Sequence, residues 1–194
     1  MLQYLFLQAT KVVNMRKLKT YELGRLSIEE YKKSDKLPLV VVLDNIRSLN
    51  NIGSIFRTAD AFRIEEIHLC GITACPPHRE IHKTALGATE SVDWHYFKST
   101  LDSVNLLKER GYVIASLEQT DNSIFLPDFK PKETNKYALI LGNEVKGVED
   151  EIVSNSDYCL EIQQLGTKHS FNVTVSAGIA IYDIALKLRY LSLV

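Results

Sequence analysis

The chain has no Gly-x-Gly-x-x-Gly after its first apolar run and no Gly-x-x-x-x-Gly-Lys-Ser/Thr anywhere, which excludes the dinucleotide fingerprint and the P-loop. Long hydrophobic runs are missing as well. No stretch approaches the roughly 20 apolar residues of a membrane-spanning helix, and Met1–Leu7 lacks the basic flank and cleavage pattern of a signal peptide, so no membrane partner is expected. Cysteine is scarce and odd in number, with Cys70, Cys75 and Cys159 at unpaired spacing. That excludes a disulfide framework and fits buried thiols in a reducing, cytoplasmic setting. Excess charge of one sign is absent too: the net charge is −1, so any nucleic-acid contact has to come from a local patch. What is present is 45% hydrophobic residues in a chain of 194, enough for one compact domain with a small extension.

Residues 1–37 read as that extension and 38–194 as the domain. Met15 is followed at once by Arg16-Lys17-Leu18-Lys19, which marks the first 14 residues as a loose leader or an upstream start. Lys11 to Lys36 mixes cations with Leu, Tyr and Glu and suggests a short helical extension. It is either a solvated helix packed on the domain or an RNA-backbone clamp built from Arg16, Lys17, Lys19 and Arg25.

After Pro38 the pattern is α/β. Leu39–Leu43 is a continuous apolar run, as expected for a parallel strand covered on both faces. Ile52, Ile55, Phe56, Ala59 and Phe62 then recur at helical spacing behind the possible caps Asn50 and Asn51. Further strands are expected at Ile64–Cys70, Trp94–Phe97, Tyr112–Leu117, Tyr137–Leu141 and Tyr158–Ile162. Helices are expected at Leu101–Arg110, Asp150–Ser154 and Asn172–Leu191. Thr73–Thr89 reads as looser chain and Glu118–Asn135 as a long connection. The last helix carries one stripe of Val173, Ala177, Ala180, Ile184 and Leu188, and a second apolar side of Val175, Ile179, Tyr182 and Leu186 that implies a subunit interface.

Three polar islands stand at the ends of apolar runs: Asn51-Ile52-Gly53 leading to Arg57, Gly142-Asn143-Glu144, and Ser170-Phe171-Asn172. Glycines cluster late, at Gly142, Gly147 and Gly166, so the pocket is expected in the second half, at the carboxyl ends of the last strands. Taken singly, Arg57 reads as a surface residue, Asn51 as a cap, Glu144 as solvated, and Ser170 or Asn172 as caps of the last helix. Cys70, Cys75, His78 and His82 form a C-x4-C-x2-H-x3-H series whose central interval is too short for a structural zinc finger, and no metal is expected. Arg79 and Lys83 beside Gly87 suggest a basic loop for RNA, and Lys168 and His169 are further phosphate candidates.

In order and spacing, Asn51–Ala61, Leu141–Gly147 and Gly166–Val175 resemble the three signature motifs of the SpoU/TrmH family of RNA 2′-O-ribose methyltransferases, within the SPOUT superfamily. The resemblance covers about Leu39 to Leu188. It implies a mostly parallel sheet flanked by helices with a C-terminal deep trefoil knot, and a homodimer, here through the last helix. It implies S-adenosylmethionine as methyl donor, held by Leu117, Gly142, Asn143, Ile162, Leu165, Phe171 and Val173. It places Arg57 at the catalytic position with Asn51, Glu144, Ser170 and Asn172 around it. Departures from the motifs are Gln163 for a common proline, Val145 for a frequent glycine and Phe171 for the usual leucine.

A ribose hydroxyl is a weak nucleophile and needs an acceptor for its proton. A guanidinium with a pKa above about 12 is a poor base. The expected division of labour is therefore that Arg57 grips the phosphate beside the target ribose, while an oxygen of that phosphate or of Glu144 receives the proton. The extension and loops would select the RNA, a tRNA in preference to an rRNA. The alternatives are a knotted RNA-binding or assembly protein without catalysis, and a base-methylating relative.

Overall fold

Leu39–Leu43 lies inside an eight-residue strand, β1 (Leu37–Asp44), with parallel partners on both sides, which is why it alternates so little. In the computed structural model, which describes residues 15–188 and 190, it is followed by α2 (Leu49–Ala61), β2 (Ile64–Cys70), α3 (Arg79–Ala85), α4 (Ala88–Ser91), β3 (Trp94–Phe97), α5 (Thr100–Glu109) and β4 (Tyr112–Leu117). The second half adds β5 (Ile124–Phe125), β6 (Lys136–Leu141), α6 (Asp150–Ser154), β7 (Tyr158–Glu161) and α7 (Val173–Lys187). The strands form one parallel sheet in the order β3-β2-β1-β6-β4-β7-β5.

Successive β1 side chains enter opposite layers. Leu39, Val41 and Leu43 pack with Ile52, Ile55 and Phe56 of α2 and with Ala177, Ala180 and Ile181 of α7. Val40 and Val42 pack on the other face with Val104 and Leu107 of α5 and Ile152 of α6. The strand ends in a fully buried carboxylate, Asp44. It accepts from Thr100 Oγ1 (2.6 Å), Asn45 Nδ2 (2.9 Å) and the Glu149 backbone N–H (2.9 Å), and so fixes the loops that follow β1 and β6.

Several expectations are corrected. The segment 73–89 holds α3 and the start of α4; these helices are too short, and too thin in buried residues, for their period to stand out in sequence. Glu118–Asn135 contains β5 and a 3-10 turn at Leu126–Asp128. The cap of α2 is Ser48, whose Oγ accepts from the Asn51 N–H at 3.3 Å, and neither Asn50 nor Asn51 serves. In the extension, the described part holds a 3-10 turn (Thr20–Glu22) and a six-residue helix, α1 (Ile28–Lys33), with a Ser27/Glu30 capping box. The expected leader, residues 1–14, lies outside the described residues. The last helix stops at Lys187, short of Leu191, and its side formed by Val175, Ile179, Tyr182 and Leu186 is exposed.

Cys70 is a core residue of β2, and burial pushes its thiol up to about 12. Among the described residues, no group of three or more His, Cys, Asp or Glu is placed to hold a metal. None of the described helices is long and apolar enough to cross a membrane.

Candidate active site

The carboxyl ends of β4, β6 and β7 open into a cleft of about 560 Å³, floored by Leu117, Leu141, Leu160, Ile162 and Val173. Its size falls within the ~300–1,000 Å³ of small-molecule pockets. One wall is a tight hairpin from Gly142 to Gly147, closed by reciprocal backbone bonds between Asn143 and Gly147 (2.9 Å each). Gly142 is needed for that closure: a Cβ there would stand 2.2 Å from the backbone of Gly147 and Val148. Its missing side chain lets chain approach chain. Asn143 lines the cleft but spends its side chain on the turn, donating to Asn45 O (2.6 Å) and accepting from the Val145 and Lys146 N–H groups (2.9 and 3.2 Å).

The three islands meet through a chain of side chains. Asn172 Nδ2 donates to Asn51 Oδ1 at 3.3 Å, and Asn51 Nδ2 donates to Glu144 Oε1 at 2.9 Å. Asn172 also caps α7, its Oδ1 accepting from the Thr174 N–H at 2.9 Å, so capping and site geometry share one residue. Glu144 braces the start of α2, where its oxygens accept from the Arg47 and Ser48 N–H groups at 3.0 Å each. Burial pushes the Glu144 carboxyl up, but hydrogen bonds from Arg47, Asn51 and Ser48 outweigh it and hold the group below the usual carboxylate range. A carboxylate so occupied is a poor proton acceptor.

Leu117, Gly142, Asn143, Ile162, Ser170, Phe171, Asn172 and Val173 all line this cleft. Leu165, expected among them, is not part of this lining. The last loop folds on itself, with Gln164 Nε2 reaching His169 O at 3.5 Å, and leaves Leu165 92% exposed. Glu118, Gln119, Glu161 and Gln164 line the cleft without having been singled out in the sequence. Their signal, polar residues at or just beyond a strand end, is faint: Glu118 directly follows the apolar run of β4 and Glu161 ends β7.

Arg57 stands elsewhere in the single chain. It lines a second cleft, of about 490 Å³, with Gly24, Arg25, Ser27, Asp60, Arg63 and Tyr190. Neither the Arg57 nor the Arg25 side chain has a hydrogen-bond or ion-pair partner among the described residues. The other expected RNA contacts are scattered. Arg16 is paired with Glu22 at 2.6 Å, Lys17 is exposed, and Lys19 lies 5.9 Å from the Tyr21 ring centre. Arg79 and Lys83 belong to helix α3 and not to a loop, with Lys83 4.0 Å from Glu80. Lys168 is exposed on the last loop.

Residues 38–182 match the SpoU rRNA Methylase family. An uncharacterized tRNA/rRNA methyltransferase of Borreliella burgdorferi is 34% identical over 84% of this chain and 70% of its own length. A putative TrmH family tRNA/rRNA methyltransferase of Staphylococcus saprophyticus is 24% identical over 84% of this chain, which spans only 65% of that relative. In fold, the chain is similar to the TrmH/SpoU tRNA modifying enzyme of A. aeolicus, with a TM-score of 0.73 and 24% identity over 85% of this chain and 82% of that one. It is likewise similar to the SpoU methyltransferase AviRb of Streptomyces viridochromogenes in complex with AdoMet, with a TM-score of 0.71 and 22% identity over 84% and 64% of the two chains.

Proposed function

The chain belongs to the SpoU rRNA methylase family, and we propose that it transfers a methyl group from S-adenosylmethionine to a ribose 2′-hydroxyl of RNA, a tRNA in preference to an rRNA. The observation that carries this reading is the formed cleft at the strand ends, tied to the first island through Asn172, Asn51 and Glu144. The cleft suits the donor: its floor is apolar, and its rim carries Glu118, Glu144 and Glu161 against Lys146 and His169, a surplus of carboxylate that favours a cationic ligand.

The bound donor supplies a methyl group on a positively charged sulfur, open to in-line attack by the ribose oxygen. The protein's task is alignment, and well-oriented approach is worth roughly 7–11 kcal/mol of barrier. Leu117, Ile162 and Phe171 give the donor apolar contact, and backbone groups of the last loop read its base. Arg57 grips the phosphate next to the target ribose through its two-pronged guanidinium. Because Glu144 is occupied by α2, we assign the proton to an oxygen of that phosphate, from which water removes it.

The same reading includes a homodimer through α7. Its support is the exposed apolar side of that helix and the edge-on contact of Tyr182 with Phe62 (6.1 Å between ring centres), which continues this side toward the helix of Arg57. A second copy would then bring Arg57 to the donor cleft. A C-terminal knot belongs to the reading too. It is supported by the position of β7 between β4 and β5, whose link, residues 118–123, must pass the chain leaving β7.

The test is calorimetry with S-adenosylmethionine, then methyl transfer to separated tRNA and rRNA with nucleoside analysis of the product. Binding followed by a methyl on tRNA ribose is expected. Binding without transfer to any RNA would favour a non-catalytic RNA-binding or assembly role, and a methyl on the base would favour a base methyltransferase. Sedimentation at micromolar concentration should give a dimer, and a monomer would contradict the proposed interface.

A further inference from the structure

We propose that Glu118 is the residue that reads the ribose hydroxyls of the nucleoside bound in the donor cleft; this assignment rests on the methyl-donor reading above. Glu118 directly follows β4, and its N–H continues the sheet ladder to Leu160 O at 2.9 Å. Its carboxylate is then fixed from two sides: Oε1 accepts from the Gln119 N–H and Oε2 from the Val148 N–H, both at 2.9 Å. The second bond requires a gap in the hairpin. Gly147 supplies it, with φ +74° and no side chain, since a Cβ there would lie 2.1 Å from Oε2.

Glu118 lines the cleft and has no cationic partner among the described residues. An ionised carboxylate offers about four lone-pair sites, of which the two backbone bonds use half. The other carboxylates of the cleft are committed differently: Glu144 accepts three N–H bonds at the start of α2, and Glu161 accepts from Ser123 Oγ at 2.5 Å. Glu118 is thus a rigid acceptor with open sites, placed one residue beyond Leu117 of the apolar floor.

Position selects which part of the ligand it meets. A base lying on the apolar floor carries its ribose directly beside it, while the amino-acid end of the donor is several bonds further away. A vicinal diol matches a fixed carboxylate, since each hydroxyl can donate one hydrogen bond. Dinucleotide-binding folds solve the same problem with an acidic residue on the ribose. This chain lacks their glycine fingerprint and offers an acid of its own at a strand end.

Calorimetry of the full chain with S-adenosylhomocysteine and its 2′-deoxy and 3′-deoxy analogues tests the assignment, on the wild type and on Glu118→Gln, with thermal unfolding to check the fold. A hydrogen bond to a charged group lost on removing one hydroxyl should weaken wild-type binding about 10- to 100-fold. Glu118→Gln should weaken the parent compound by a comparable factor and then be nearly indifferent to the missing hydroxyl. Wild-type binding of both deoxy analogues as tight as that of the parent overturns the assignment. So does a variant that loses the same further factor as the wild type, because Glu118 would then only hold the hairpin. If the variant does not fold, the wild-type analogue series decides alone. A wild type that binds no S-adenosylhomocysteine at all brings down the methyl-donor reading, and this assignment with it; failure of the Glu118 assignment alone leaves that binding intact.

Discussion

In the cleft at the ends of β4, β6 and β7, several polar side chains are already committed to the protein. Asn143 holds its own turn, Glu144 braces α2, Asn172 caps α7, and Glu118 pins Val148. In the cleft beside α2, the side chains of Arg25 and Arg57 have no partner among the described residues. The first arrangement is preorganised for a small ligand that must be oriented, and the second leaves cations open for a polyanion that brings its own shape. The difference teaches that donor binding and RNA binding should be separable by mutation.

The strongest way to break that comparison is Arg57→Ala. Methyl transfer should fall at least about 100-fold, as expected for a lost positioning clamp, while affinity for S-adenosylhomocysteine stays within about twofold. Arg57→Lys keeps the charge but loses the fork, and near-full activity in that variant would contradict the clamp. A clear loss of cofactor affinity in either variant would show that Arg57 also holds the donor. A smaller effect is expected from Gly142→Ala, whose Cβ must displace the Gly147–Val148 backbone. Overpacking of this kind costs about 1–3 kcal/mol, readable by denaturant unfolding, and cofactor affinity should drop with it. Unchanged stability would mean that the hairpin opens freely. The smallest effect concerns Glu144, whose folded carboxyl sits below its ordinary 4.5. A group depressed in the folded state contributes stability above its unfolded value, and that contribution is lost as pH falls through the folded one. Melting temperatures should therefore decline more steeply below pH 4.5 in the wild type than in Glu144→Gln, and equal slopes would remove the brace from the account.

Much of this was legible in the sequence because buried parallel strands write themselves as unbroken apolar runs. β1, β2, β3, β4 and β6 lie within about two residues of their expected bounds. The two-residue β5 shows no period, and α3 and α4 are too short to show one. The three islands were visible as types and positions, but the bonds from Asn172 to Asn51 and from Asn51 to Glu144 span 121 and 93 residues and cannot be read locally. The exposure of Leu165 is hidden for a related reason: proximity in sequence to Ile162 and Phe171 says nothing about the side to which a loop turns. Glu118 reads in the sequence as the first residue of a long polar connection, and only the gap at Gly147 shows that its carboxylate reaches inward.

The order of strands has a consequence for the nascent chain. β1 pairs with β2, which follows closely, and with β6, which is not complete until residue 141. β4 is made before both of its partners, β6 and β7. At translation rates of about 5–20 residues per second, the open edge of β1 waits roughly 5–20 s for β6. Throughout that interval the ribosome presents an unpaired, valine-rich strand edge, the kind of surface on which chains aggregate and chaperones bind. Until β6 pairs with it, that edge of β1 is a surface on which a second chain can add.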